Sequence, residues 1–223
     1  MNEIFLDTET TGLSYKDNHK IVEVACVETI DLVPTKKIFH KHINPKRSVP
    51  DEAYRVHGFS TEFLNEKETF DKIADEFIEF IKGKKLIIHN APFDIGFLNY
   101  ELRLLKKDEI KMELVIDTLD IARSKFPGTS NSLDALCKRF GIDLSRRSKH
   151  NALLDCELLR EVYINLFDAR EPRLAFSNQN KENNTSSISE KILDYSKKIV
   201  KISDTETAEH KNFLQKSLKK NYY

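Results

Sequence analysis

Glu3-Ile-Phe-Leu-Asp-Thr-Glu-Thr-Thr-Gly12 is a short β run that ends in acids and hydroxyls and then in a turn. Its apolar start reads as a buried strand with a polar exit. Residues two apart on a strand share a face, so Asp7 and Glu9 project together where the strand gives way at Thr10-Thr11-Gly12. Outward from it, Ile21-Val-Glu-Val-Ala-Cys-Val27 and Lys37-Ile-Phe-His-Lys-His-Ile43 are β-branched or alternating and make two further strands. Thr69 caps a helix on which Ile73, Phe77, Phe80 and Ile81 recur at helical spacing, and Gly83 stops it. A buried strand follows at Leu86 to Ile88. Next comes a helix from about Pro92 to Lys106, with proline near the first position, where its missing N–H costs least. Leu114-Val-Ile116 is a fifth strand, Ser132 to Phe140 a short helix closed by Gly141, and Asn151 to Phe167 a long helix. Three successive strands and then strands alternating with helices define an α/β fold, a mixed five-stranded sheet with flanking helices.

The 223 residues allow one sizeable α/β domain, residues 1–170, plus a C-terminal tail. Lys plus Arg equals Asp plus Glu at 36 each, so bulk charge announces neither a nucleic-acid nor a membrane partner. The longest apolar runs are strand-sized, far short of a membrane span. The chain enters its first strand at once, leaving no room for a signal peptide, and a cytoplasmic protein is expected. Cys26, Cys137 and Cys156 form no C-x-x-C pair, which argues against a thiolate zinc site or a disulfide framework. Beyond residue 170 the character changes. Residues 171–187 read as a flexible linker, most clearly Ser177 to Ser187, which offers nothing apolar to bury. Residues 188–223 carry Ile188, Ile192, Leu193, Ile199, Val200 and Ile202. A cap at Ser203 or Asp204 then opens a last helix with Ala208, Phe213, Leu214 and Leu218. That is too little for an independent core, so this segment folds on something else. Residues 171–223 hold ten basic and seven acidic side chains, leaving 26 and 29 before them, so the main domain is slightly acidic.

No single acid identifies a site. An acid-x-acid triplet such as Asp7-Thr8-Glu9 is expected roughly six times by chance in a chain this acidic. Asp94 in a first helical turn is normally just a dipole partner. In His150-Asn-Ala-Leu-Leu-Asp155 the two end residues cannot share a helix face, since five residues turn about 140°. Asp155 then belongs on the helix and His150 on the loop entering it. His19, His40, His42 and His210 read as ordinary exposed histidines. Taken together, the acids sit at a strand end, a helix start and a late helix, and can converge at one end of the sheet. Such a cluster is strongly unfavourable without a counter-charge. Hard oxygen donors with no Cys and no paired His select Mg2+ or Mn2+ over Zn2+. Two such ions about 3.5–4 Å apart suit in-line displacement at phosphorus. A nearby neutral histidine could take a proton from the attacking water.

Five blocks carry a resemblance: FLDTETTGL (Phe5 to Leu13), VHGFS (Val56 to Ser60), HNAPFDIGFLNYE (His89 to Glu101), NSLDALCKRFGI (Asn131 to Ile142) and HNALLDCELL (His150 to Leu159). In order and spacing, over nearly all of residues 3–170, the chain resembles the DEDDh 3′–5′ exonucleases, and among them those that proofread for bacterial replicative polymerases. The resemblance implies a ribonuclease H-like fold and removal of nucleoside 5′-monophosphates from a DNA 3′ end. It implies that Asp7, Glu9 and Asp155 ligate two divalent metal ions, with Asp7 bridging, that Asp94 binds mainly through water, and that His150 is the general base. Glu52 and His57 match positions that contact the terminal nucleotide; read alone, they are a helix-start acid and an exposed histidine. Asn90 and the turn from Thr10 to Leu13 would help seat the terminal base and sugar. Pro92 departs from the small residue common in the family.

The resemblance also suggests partners. Glu171-Pro-Arg-Leu-Ala-Phe176 stands where such proofreading subunits carry a sliding-clamp-binding motif; Leu174 and Phe176 fit its apolar anchors, whereas Glu171 replaces the usual Gln. Residues 188–223 match in placement the segment that docks on the polymerase catalytic subunit, and tethering would raise the local concentration of the nuclease there. Packing of that segment on the chain's own domain is the competing reading. Two other functions remain open: a free-standing exoribonuclease that trims RNA or oligonucleotides, and a non-catalytic bridge between polymerase and clamp.

Overall fold

A computed structural model of the chain describes residues 2–145, 147, 149–167 and 203–217. Five strands, β1 (Asn2–Thr10), β2 (Ile21–Ile30), β3 (Val33–His42), β4 (Lys85–Ile88) and β5 (Val115–Asp117), form one sheet in the order β3-β2-β1-β4-β5. β1, β2 and β3 are antiparallel neighbours, whereas β4 and β5 run parallel to β1. The short helices α1 (Asp51–His57) and α2 (Thr61–Asn65) follow β3, and α3 (Phe70–Ile81) precedes β4. Then come α4 (Ala91–Leu104), α5 (Thr118–Lys125), α6 (Leu133–Phe140) and α7 (Ala152–Leu166). This is the mixed, helix-flanked sheet that the sequence predicts.

The strand pleat sorts the core into two layers. Ile4, Leu6, Val24, Cys26 and Phe39 pack with Ile73 and Phe77 of α3 and with Ile95 and Leu98 of α4. Phe5, Ala25, Val27 and Ile87 face the other way, onto Ala152, Cys156 and Leu159 of α7. Each fully buried large side chain contributes about 1.5–3 kcal/mol over its exposed state.

β1 runs to Thr10, with Asp7 and Glu9 on the strand as expected. Several other boundaries differ from the sequence reading, each for a local reason. β2 and β3 meet in a two-residue turn, Asp31-Leu32, both residues at positive φ, without the Gly or Asn that usually marks such a turn. β3 therefore starts at Val33, and its Pro34 is tolerated because β3 is an edge strand. Helices α1, α2 and α5 escape periodicity because they are short; α5 buries only Thr118 and Ala122.

The chain divides into two units, Met1–Leu174 and Ala175–Tyr223. Within the second, α8 (Asp204–Ser217) starts with a reciprocal cap: Ser203 Oγ accepts from Glu206 N at 3.2 Å and Glu206 Oε2 accepts from Ser203 N at 2.9 Å. Residues 203–213 of that unit are exposed, Phe213 included. The expected clamp motif at 171–176, the rest of the linker to residue 187, and positions 188–202 and 218–223 lie outside the described residues. Among the described residues no helix is long and apolar enough to cross a membrane.

Candidate active site

β1 carries the first two acids at the centre of the sheet. Asp7 and Glu9 share the parity of Phe5, and so lie on the α7 side, while Thr8 shares that of Ile4 and Leu6. Thr8 reaches α4: its N–H and its hydroxyl both donate to Asp94 Oδ1, at 3.1 and 2.7 Å. Asp94 is thereby fixed in the first turn of α4. That helix starts from Asn90, whose φ of 68° turns the chain sharply out of β4. The Asp117 carboxylate steadies the turn, accepting from Asn90 N, Ala91 N and Leu119 N at 2.9–3.1 Å. One acid at the end of β5 thus holds the starts of both α4 and α5.

Asp155 is buried on the sheet side of α7, one turn from Ala152 and Leu159. Asn151 caps the helix by accepting from Leu154 N at 3.0 Å. His150 stands just outside, on the entering loop as expected, and its backbone N–H donates to Val56 O of α1 at 3.1 Å. Its Nδ1 lies 3.9 Å from Glu9 Oε1 and 3.7 Å from Asp155 Oδ2. Asp7, Glu9, Asp94, Asp155, His150 and Asn90 all line one cleft of about 680 Å³. An adjoining cavity shares Thr8, Glu9 and Phe93 with it and is lined by Thr10, Leu13, Glu52 and His57. The sequence-derived residues therefore meet in two neighbouring compartments.

His57 corrects its isolated reading as an exposed histidine: it is buried, stacked on Phe59 with ring centroids 5.0 Å apart. Its Nδ1 accepts from Phe59 N at 3.0 Å, which leaves the proton on Nε2, and that buried Nε2 has no partner among the described residues. Desolvation pushes this histidine down to about 4, so it is neutral at physiological pH. Glu52, in the first turn of α1, is exposed.

The cluster is electrically strained. Burial and its neighbours Asp94, Glu9 and Asp155 hold the Asp7 carboxyl well above the usual range. Burial, Asp155 and Glu23 push Glu9 up to about 8; burial pushes Asp94 up to about 7 against the hydrogen bonds from Thr8. Arg147 answers part of this charge from within. It donates from Nε and Nη2 to the two oxygens of Asp155 (2.5 and 2.7 Å) and from Nη1 to Asp134 (2.6 Å), with Nη2 2.9 Å from His150 Nδ1. Burial and this guanidinium lower the affinity of His150 for a proton. Sequence reading missed Arg147, Thr8 and Asp117, because a basic loop residue, a strand hydroxyl and a strand-end acid have no signature apart from their partners.

The donor set fits hard divalent cations: carboxylate oxygens that repel one another when ionised, with ligand atoms of Glu9, Asp155 and His150 within 4.8 Å of one another. Protons and metal should compete for it. Folded, Glu9 and Asp94 keep protons that the unfolded chain has released above about pH 4.5. Their contribution to the stability of the metal-free domain is therefore fullest below that pH and falls as pH rises through about 7 to 8, by on the order of a few kcal/mol, while His57 contributes with the opposite sign below about pH 6.5. Thermal melts in EDTA should give a lower Tm at pH 8 than at pH 5.5, and Mg2+ or Mn2+ should raise Tm more at pH 8. A Tm in EDTA that ignores pH would contradict this.

Three buried carboxylates, a fourth that is partly buried and a half-exposed histidine, gathered on a ribonuclease H-like sheet, define a metal-dependent nuclease. The chain belongs to the exonuclease family, whose model, described as "Exonuclease", matches residues 4–163. It is 49% identical over 225 residues to "DNA polymerase III subunit epsilon" of Rickettsia felis, covering 98% of both chains. It is also 49% identical over 169 residues to the protein of that name in Escherichia coli K12, covering 73% of this chain and 70% of the other. Among solved structures, "Exonuclease X in complex with 5′ overhanging duplex DNA" superposes with a TM-score of 0.58 at 25% identity, covering 75% of this chain and 92% of that one.

Proposed function

We propose that the chain is the proofreading 3′–5′ exodeoxyribonuclease subunit of a replicative DNA polymerase, acting in the cytoplasm with two divalent ions, Mg2+ or Mn2+. The observation that carries this reading is the convergence of Asp7, Glu9, Asp94, Asp155 and His150 on one cleft. Asp7, Glu9 and Asp155 hold the ions, and Asp94 completes the cluster from α4. When bound, the ions would supply Lewis acidity at the scissile phosphate and positive charge beyond what Arg147 provides. His150, neutral at pH 7, accepts a proton from the attacking water at an imidazole nitrogen.

The adjoining cavity seats the terminal nucleotide. There the orphan N–H of His57 Nε2 is a donor waiting for a ligand acceptor, and Glu52, Thr10 and Leu13 line the same space. Asn90 faces the sugar and base from the cleft side. Selection for mispaired ends needs no base readout, since an unpaired terminus costs less to draw into the site. The polymerase assignment is supported by the name carried by the whole-length relatives. The segment 188–223 is proposed to dock on the catalytic subunit, and residues 171–176 to contact the sliding clamp.

The test is a time course on matched and mispaired primers, in DNA and in RNA, with and without Mg2+. Faster trimming of mispaired DNA, dependent on Mg2+, is expected; a preference for RNA would favour the free-standing exoribonuclease instead. Deleting residues 177–223 should leave hydrolysis of single-stranded DNA unchanged within about twofold and abolish co-purification with the polymerase catalytic subunit. Undiminished association would remove the docking assignment.

A further inference from the structure

Glu23, His40 and His42 form a second cluster of donors that catalysis does not use. Registry brings them together: β2 pairs with β3 so that Glu23 faces His42 and Ala25 faces His40. All three side chains then rise on the face of the sheet that α7 covers. Glu23 is fully buried. Its Oε1 lies 2.7 Å from His40 Nε2 and 3.5 Å from His42 Nε2, and the three donor atoms fall within 4.8 Å of one another. Both histidines, expected to be ordinary surface residues, are in fact only about a quarter exposed.

We propose that Glu23, His40 and His42 bind one borderline transition-metal ion of the Zn2+ class, at a site separate from the carboxylate cleft. Two imidazoles with one carboxylate suit such ions, whereas an all-oxygen set suits Mg2+ or Mn2+. In a tetrahedral site with bonds of about 2.0–2.2 Å, neighbouring donor atoms lie about 3.3 Å apart; the observed 2.7 and 3.5 Å bracket that spacing. Without an ion, His40 Nε2 and Glu23 Oε1 are hydrogen-bonded at 2.7 Å, but the His42 nitrogen, at 3.5 Å, stands beyond the usual 2.7–3.2 Å of a good bond and is not accounted for by hydrogen bonding to Glu23.

The surroundings orient the donors. Asn151 Nδ2 donates to Glu23 Oε1 at 3.0 Å and Ala152 N to Oε2 at 2.9 Å, fixing the carboxylate as outer-sphere partners do in metal sites. The ring of His42 is braced edge-on by Phe59 and Phe63, with centroids 4.8 and 5.3 Å away. The partial exposure of both histidines leaves an entry path and room for water as a further ligand. Because Glu23 also holds the first N–H of α7, an ion here ties the edge strand to the start of the helix that carries Asp155.

The full chain, with Mg2+ saturating, is titrated with Co2+ followed by visible absorption and with Zn2+ followed by calorimetry. One equivalent with a nitrogen-ligand cobalt spectrum is expected in the wild type and in Asp7→Asn, which removes a carboxylate of the cleft and leaves all three proposed donors in place. His42→Phe, which keeps a ring against Phe59 and Phe63, and His40→Gln should each weaken that equivalent by about 100-fold or more. Their denaturation midpoints in EDTA show that they are folded. Absence of the equivalent in the wild type, its loss in Asp7→Asn, or its survival in the double histidine variant would overturn the proposal.

Discussion

Asp7→Ala is expected to slow Mg2+-dependent release of 3′ nucleotides by about 10^3-fold or more, with the fold intact. A bound ion's charge stabilisation amounts to several kcal/mol, and each 1.36 kcal/mol is tenfold in rate. The stability side of the result is as informative as the rate. Asp7 lies on the central strand, its carboxyl pushed well above the usual range by burial and by four neighbouring acids, Asp94, Glu9, Asp155 and Glu23. Removing it relieves repulsion, so the variant's Tm in EDTA should equal or exceed that of the wild type, while the rise in Tm on adding Mn2+ should shrink. A gel time course on a labelled single strand and paired melts read both. Wild-type turnover would remove Asp7 from the metal set; loss of folding in EDTA would make it a structural residue.

His150→Gln is the second large effect: about 10^2–10^4-fold in turnover, the range for a lost general base. The histidine is close enough to Glu9 and Asp155 that a ligand role is the rival explanation, and the two part cleanly. As a base, His150 can be replaced with Mn2+ affinity kept within about twofold; as a ligand, its loss weakens Mn2+ and excess metal restores the rate. The pH profile adds a check. Burial and Arg147 hold His150 below the ordinary histidine range, so the acid limb of the wild-type profile should lie there and vanish in the variant.

The sheet was legible in the sequence because its strands are β-branched and its long helices periodic. Phe70–Ile81 and Leu133–Phe140 appear almost as expected, the latter between Ser132 and the left-handed Gly141. The hairpin at Asp31-Leu32 was not legible, since the leucine takes up a left-handed angle beside the aspartate and no Gly or Asn marks the turn. The four acids and His150 could be picked out only as spaced blocks, each being ordinary alone. Their supports were hidden for a different reason: Thr8 to Asp94, Asp117 to the start of α4, Arg147 to Asp155 and Glu23 to His42 are partnerships between distant stretches of chain or between a loop and a helix. Periodicity finds faces; it does not find which side chain waits on the other element.

The hydrogen bond from His150 N–H to the carbonyl of Val56 joins the loop bearing the proton acceptor to the helix bearing Glu52 and His57. A strand terminus that settles badly against that helix would drag the imidazole off line, and one that settles well would carry it into place. In the proposed reaction, seating of the terminal nucleotide and placement of the proton acceptor are then mechanically coupled through that peptide contact.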